Sequence, residues 1–177
     1  MTTLEIELPT DGDVVELILA DHRSFEDLLR QLRDASSDRD AVRQMFATLH
    51  VAHALAEERE VYPTLRKDDA ITKKEAHHGE EEHAEGNEAL LKVLEADDTT
   101  TEEFEDLVEE LAKLVNHHLT EEELTILNPA REELDDAEKA RLGEAFVRAR
   151  NQLVEEDCGT VEKVRAIVAA AKKDDLI

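Results

Sequence analysis

The chain has little of what most non-helical folds need. Its 177 residues include one cysteine, three prolines, five glycines and no tryptophan, and aromatics make up only 3%. A single cysteine, Cys158, excludes an intrachain disulfide framework. So few aromatics argue against a sheet-rich fold. Scarce glycine and proline beside abundant Ala, Leu and Glu favour helices. No apolar run is long enough to span a bilayer, and MTTLEIELPTDGD at the N-terminus lacks the basic region and apolar core of a signal peptide, so a cytoplasmic protein is expected. Positive charge is also scarce: 21 basic against 46 acidic residues give a net charge of −25. That balance excludes a nucleic-acid binder working by phosphate neutralisation, and adsorption to an anionic membrane. It leaves a strongly solvated surface that concentrates cations. The length fits one domain able to bury a real core.

What is there is a helical hairpin written twice. Asp11 or Asp13 can cap a first helix running to about residue 34, with the stripe Val15, Ile18, Leu19, His22, Phe25, Leu29, Leu32. Ser37 or Asp38 can cap a second, which carries Val42, Met45, Phe46, Leu49, His53, Ala56 and Glu57 on one side. Pro63 bends or ends it near Tyr62. A third helix, roughly 70–95, presents Ala76, Gly79, His83, Gly86, Leu90 and Leu94. Its two glycines make room for a neighbour or mark a less regular helix. A fourth shows Phe104, Leu107, Val108, Leu111, Val115, His118, Glu122 and Ile126, and Pro129 closes it. The expected fold is all-α: residues 1–10 as an N-terminal extension, an up-down four-helix bundle over 11–130, and additional C-terminal helices over 131–177. Two amphipathic helices are expected in that last segment, separated by Gly159 and free of histidine, as a cover or oligomer contact.

Each hairpin delivers one histidine, then a His and a Glu four residues apart. Residues at that spacing share a helix face, so imidazole and carboxylate reach one point. The spacing alone carries little weight. With 46 acids in 177 residues, a histidine has roughly a one-in-four chance of an acid four places on, usually as a surface ion pair. Six of the eight histidines have one: His22, His53, His77, His78, His117 and His118. Phase discriminates where spacing does not. His22, His53, His83 and His118 fall on apolar stripes, whereas His117 points about 100° from His118. A carboxylate within an apolar stripe needs a partner or a metal. A buried His–Glu hydrogen bond explains one such pair; two matched pairs plus two matched histidines favour a two-metal site inside the bundle. Imidazole with carboxylate suits iron, manganese or zinc.

The segments DHRSFEDLL, HALAEEREVYPTL, EEEHAEGNEALLKVL and HHLTEEELTILNPA resemble the hemerythrin-like family of HHE cation-binding domains. The resemblance runs from about Val14 to Phe146. It implies a non-haem di-iron centre with two iron ions, ahead of zinc or manganese, held by His22, His53, Glu57, His83, His118 and Glu122. It implies a small-molecule partner (dioxygen, peroxide or nitric oxide), no nucleic acid, no membrane, and a monomer or homo-dimer. Catalase-like peroxide decomposition in oxidative-stress defence is the leading function; non-enzymatic iron or oxygen binding, sensing or storage is the alternative. The chain departs from oxygen carriers, which have a further histidine four residues from the one on the third helix. Here Asn87 and Gly79 flank His83 at that spacing. His50, His78 or Tyr62 are candidates to complete the shell. Pro129 also stands one residue further from His118 than Pro63 does from His53, so either the fourth helix bulges after Glu123 or His117 and Glu121 form the true pair.

Overall fold

Helix caps in the computed structural model, which describes residues 5–177, follow the polar residues that precede each apolar stripe. The Asp13 carboxylate accepts from the Val15 N–H at 2.8 Å and starts α1 (Val14–Arg33). Asp38 accepts from Ala41 and starts α2 (Arg39–Ala56). Thr72 and Glu75 cap each other's backbone reciprocally at the start of α4 (Lys73–Glu95), a capping box that sets this helix three residues later than its sequence alone indicates. Thr101 caps α5 (Glu102–Glu122). Short helices α3 (Tyr62–Lys67) and α6 (Asn128–Glu133) follow α2 and α5. The chain ends in α7 (Asp136–Glu155) and α8 (Val161–Lys173).

Pro63 and Pro129 are accommodated by the same device. Glu57–Val61 and Glu123–Leu127 each form a π-helical turn. The Tyr62 N–H reaches back five residues to the Glu57 carbonyl, and the Asn128 N–H reaches the Glu123 carbonyl. The wider turn passes over the position where a proline ring would clash with the carbonyl four residues earlier. The bulge expected after Glu123 is therefore present, and the first hairpin has one as well. It begins at Glu57 itself in the first hairpin and one residue past Glu122 in the second, which accounts for the offset of Pro129.

Helices α1, α2, α4 and α5 form the bundle, each packed against two of the others. The architecture is all-α, and none of the described residues forms a strand. One apolar core fills the end of the bundle away from the prolines, around Phe25, Phe46, Leu90, Phe104 and Leu111. A second surrounds Ile18, Val61, Tyr62, Leu65, Ile126 and Phe146. Helix α7 lies against α1 and α2 and supplies Phe146 to the second core and Leu153 to the first. Helix α8 packs on α4 and adds Val164 and Val168. Gly159, between α7 and α8, touches the α2 backbone so closely that an added Cβ would lie 2.2 Å from the Thr48 nitrogen. Cys158 is buried beside it and donates its S–H to the Thr48 carbonyl; burial pushes the thiol up to about 11, so it is inert at neutral pH. No described helix is long and apolar enough to cross a membrane.

Candidate metal centre

Between the two apolar cores the bundle turns polar. His22 comes from α1, His53 from α2, His83 from α4 and His118 from α5, and all four are buried. Glu57 and Glu122, one turn past His53 and His118, are buried with them. One ligand atom from each of His22, His53, Glu57 and Glu122 lies within 4.8 Å of the others, and the same holds for Glu57, His83, His118 and Glu122. The two groups share both carboxylates. Glu57 Oε1 is 3.1 Å from His53 Nε2, and its Oε2 is 3.2 Å from His83 Nε2. Glu122 Oε2 is 3.2 Å from His22 Nε2 and 3.7 Å from His118 Nε2. Its other oxygen accepts from the Tyr62 hydroxyl at 2.7 Å.

Every one of these imidazoles has a carboxylate at its far nitrogen. Nδ1 of His22 meets Glu123 at 2.9 Å, that of His53 meets Asp21 at 3.0 Å, that of His83 meets Glu58 at 2.8 Å, and that of His118 meets Glu82 at 2.9 Å. An ionised carboxylate only accepts, so each Nδ1 carries a proton, and in the neutral form of the ring the Nε2 lone pair points inward. The supporting acids follow a rule: each is the sequence neighbour of a centre residue on a different helix. Asp21 precedes His22, Glu58 follows Glu57, Glu82 precedes His83, and Glu123 follows Glu122. This is the outer layer that orients metal-bound histidines. Sequence reasoning missed these four residues individually, because 46 acids give no compositional signal. Adjacency to the stripe histidines and glutamates was the clue available.

Nε2 of His53, His83 and His118 and both oxygens of Glu57 are buried without a hydrogen-bond partner. Unsatisfied buried polar atoms are costly, and five converging on one space fit a cation there. Without a cation the protons redistribute. Burial lowers the His53 pKa, but the charge of Glu57 and the Asp21 hydrogen bond outweigh it and raise it to about 10. His83 is held well above its usual value against burial by Glu57 and Glu58, and His22 is raised by Glu122. Burial alone would raise Glu57; the charge and hydrogen bond of His53, with His83, hold it well below the carboxylate range. Burial and the Glu122 and Glu57 charges push the Tyr62 phenol up, so its proton stays on and is donated to Glu122.

The two alternatives for the fourth helix are resolved by burial: His118 and Glu122 face the centre, while His117 is exposed. Of the three residues considered for completing the shell, Tyr62 reaches Glu122, and His78 lies on the surface. His50 is buried near the centre but outside both groups, stacked on Phe46 at 5.4 Å, and burial with the nearby histidines keeps it neutral. Gly79 explains itself through Tyr62: a Cβ there would stand 2.8 Å from the phenol oxygen. Gly86 leaves an ordinary contact with His50. Arg150 of α7, from a segment to which the sequence assigned no part in the site, grips Asp21 through two bonds of 2.7 and 2.8 Å. It also donates to the Glu7 carbonyl, and Asn151 donates to that of Pro9, so the N-terminal strap is tied to the same helix.

The description "Hemerythrin HHE cation binding domain" matches residues 13–130, about two thirds of the chain. The chain belongs to the hemerythrin HHE cation-binding family. The match ends within α6, so α7 and its Arg150 lie beyond it. Among curated proteins, a relative from Nostoc sp. (strain PCC 7120) named DNA nickase is 27% identical over 152 residues, covering 81% of this chain and 40% of the relative. The chain thus spans well under half the length of that relative. No solved structure matches it. A cation-binding family and two buried His/Glu groups agree that this is a metal-binding domain.

Proposed function

We propose that the chain is a non-haem di-iron protein that engages dioxygen or hydrogen peroxide, with His22 and His53 serving one iron, His83 and His118 the other, and Glu57 and Glu122 shared. The observation that carries this reading is the pairing of four inward Nε2 atoms with two shared, buried carboxylates. Four neutral imidazoles and two carboxylates are too few ligands to close two six-coordinate spheres, which favours reactivity over a purely structural role. Iron bound there would supply exchangeable positions and a change of oxidation state to a small oxidant. The chain's own residues do the rest. Asp21, Glu58, Glu82 and Glu123 fix the ring orientations and raise ligand basicity. Tyr62 holds one Glu122 oxygen and keeps a proton close to the centre. Phe25, Phe146 and His50 pack against His53 and its surroundings and limit water. A cytoplasmic setting and catalase-like peroxide removal complete the reading. Carriage or sensing without turnover is its non-enzymatic form.

The test is metal content with an absorption spectrum of air-purified protein, followed by peroxide titration. About two irons per chain with near-ultraviolet oxo-bridge bands is the expected result. Protein that takes up zinc but no iron after anaerobic reconstitution would refute it, and peroxide turnover no faster than free iron would remove the enzymatic form. The Nostoc relative's name supplies a competing reading, cation-dependent strand cleavage in nucleic acid. Against it stands the charge of −25, which repels phosphate. Conversion of supercoiled to open-circular plasmid by the iron- or zinc-loaded chain would favour it.

A further inference from the structure

Three of the four supporting carboxylates have only histidines as side-chain partners. Among the described residues, no lysine or arginine nitrogen lies within 4.0 Å of the Glu58, Glu82 or Glu123 carboxylate. Asp21 differs. Arg150 Nε donates to its Oδ2 at 2.7 Å, and Nη2 donates to its Oδ1 at 2.8 Å. Oδ2 is also the oxygen that accepts from His53 Nδ1 at 3.0 Å. One carboxylate oxygen is therefore shared between a guanidinium and a histidine of the first group. Arg150 is only 3% exposed and Asp21 5%, so water and salt screen this charge little. Nor is the guanidinium free to turn away. Its Nη1 donates to the Glu7 carbonyl and to the Asn151 side-chain oxygen, and it keeps its proton at any ordinary pH.

We propose that Arg150 is a positioning residue that sets the two ion positions apart, so that the position of His22 and His53 holds its ion more weakly than that of His83 and His118. Two effects act in the same direction. A carboxylate that accepts strongly from Nδ1–H makes the imidazole a better donor at Nε2. Asp21 gives part of that capacity to Arg150, which leaves His53 the least basic of the four rings. The guanidinium also places a buried positive charge behind His53, and a cation at the far side of the ring is repelled by it. The other three rings have no such neighbour behind them. At limiting metal the chain therefore holds one ion, at His83 and His118, and the ion at His22 and His53 is the one that exchanges. Arg150 lies on α7, outside residues 13–130, so the bundle alone does not carry this asymmetry. The inference rests on the two-ion part of the di-iron reading and holds for any divalent ion that the centre accepts.

The test is calorimetric titration of the full-length, metal-free chain with cobalt(II), with circular dichroism to confirm that each variant is folded. The wild type should bind two ions in two steps that differ by about tenfold or more in affinity. His22→Ala should remove the weak step and keep the tight one. Arg150→Met should tighten the weak step about tenfold and leave the tight step unchanged. Arg150→Lys, which keeps the charge, should stay close to the wild type. The direction of the change separates this role from packing, because loss of a merely structural contact loosens binding. Arg150→Gln keeps a donor for Asp21 without the charge and serves in place of Arg150→Met if that chain does not fold, with the same tightening expected. Two equal steps in the wild type, loss of the tight step in His22→Ala, or unchanged or weaker binding by a folded, neutral Arg150 variant would each overturn the inference and leave the two-ion centre standing. Uptake of fewer than two ions by the wild type would overturn the centre and the inference together.

Discussion

In the first half of the centre His53 rests on Asp21, and Asp21 rests on Arg150 beneath α7. In the second, His118 rests on Glu82, and the other oxygen of Glu82 faces exposed histidines. The local device is the same in both, an acid placed just before a stripe histidine. Its surroundings differ. A buried guanidinium satisfies both Asp21 oxygens, whereas Glu82 has no such partner and one of its oxygens is left without a hydrogen bond. Buried charge is costly unless fully paired, so Asp21 and Arg150 depend on each other in a way that Glu82 does not depend on any cation. A second asymmetry runs the other way. Tyr62, in the first hairpin, supports Glu122 of the second, whereas both Glu57 oxygens lack a hydrogen-bond partner.

The sharpest way to break the comparison is to remove what the halves share. Glu57→Ala should lower metal content in both halves, by more than the roughly 10–100-fold that a supporting residue is worth. His22→Ala should mainly affect the first. Elemental analysis after dialysis distinguishes them, and a Glu57→Ala chain that keeps one full ion would show that Glu57 is not shared. Next comes the Asp21–Arg150 pair. Asp21→Asn leaves Arg150 buried against neutral groups and should cost about 3–5 kcal/mol in urea unfolding of the metal-free chain. Glu82→Gln, whose amide oxygen still accepts from His118, should cost clearly less; equal costs would refute the contrast between halves.

Tyr62→Phe keeps the ring beside Gly79 and removes one bond to an ionised group. It should cost about 1.5–3 kcal/mol and shift the absorption of the metal-loaded chain, and an unchanged spectrum would show that Tyr62 only packs. The smallest effect is set by protons. His53, raised to about 10 in the metal-free chain, is an imidazolium at neutral pH and must lose its proton to ligate. Cation uptake should release protons, and affinity should fall about tenfold per pH unit on acidification for each proton displaced. In the metal-free chain the raised His53 contributes stability that is full below its ordinary value of 6.5 and lost as pH rises through about 10. Unfolding of the chelated protein at pH 6 and pH 10 checks the sign, and a metal-free chain no less stable at pH 10 would contradict it.

The sequence by itself determined the helices and their apolar faces, because helical periodicity is local, and those faces carry the six residues proposed to hold the ions. His118 was separable from His117 by phase alone, and one residue of slippage moves a side chain by about 100°. The extra residue before Pro129 left a bulge or a shifted His–Glu pair open, and the structure shows the same wide turn before both Pro63 and Pro129, starting one residue later in the second hairpin. Only the tertiary structure decided which acid backs which histidine. Those pairs join different helices, and in a chain this acidic every helix offers candidates on all sides. It decided the role of Arg150 for the same reason, since 129 residues separate it from Asp21 and nothing in the spacing of either announces the other. And it decided which supporting acid gains a buried guanidinium. That depends on where α7 packs, a matter of shape and burial that no local period encodes.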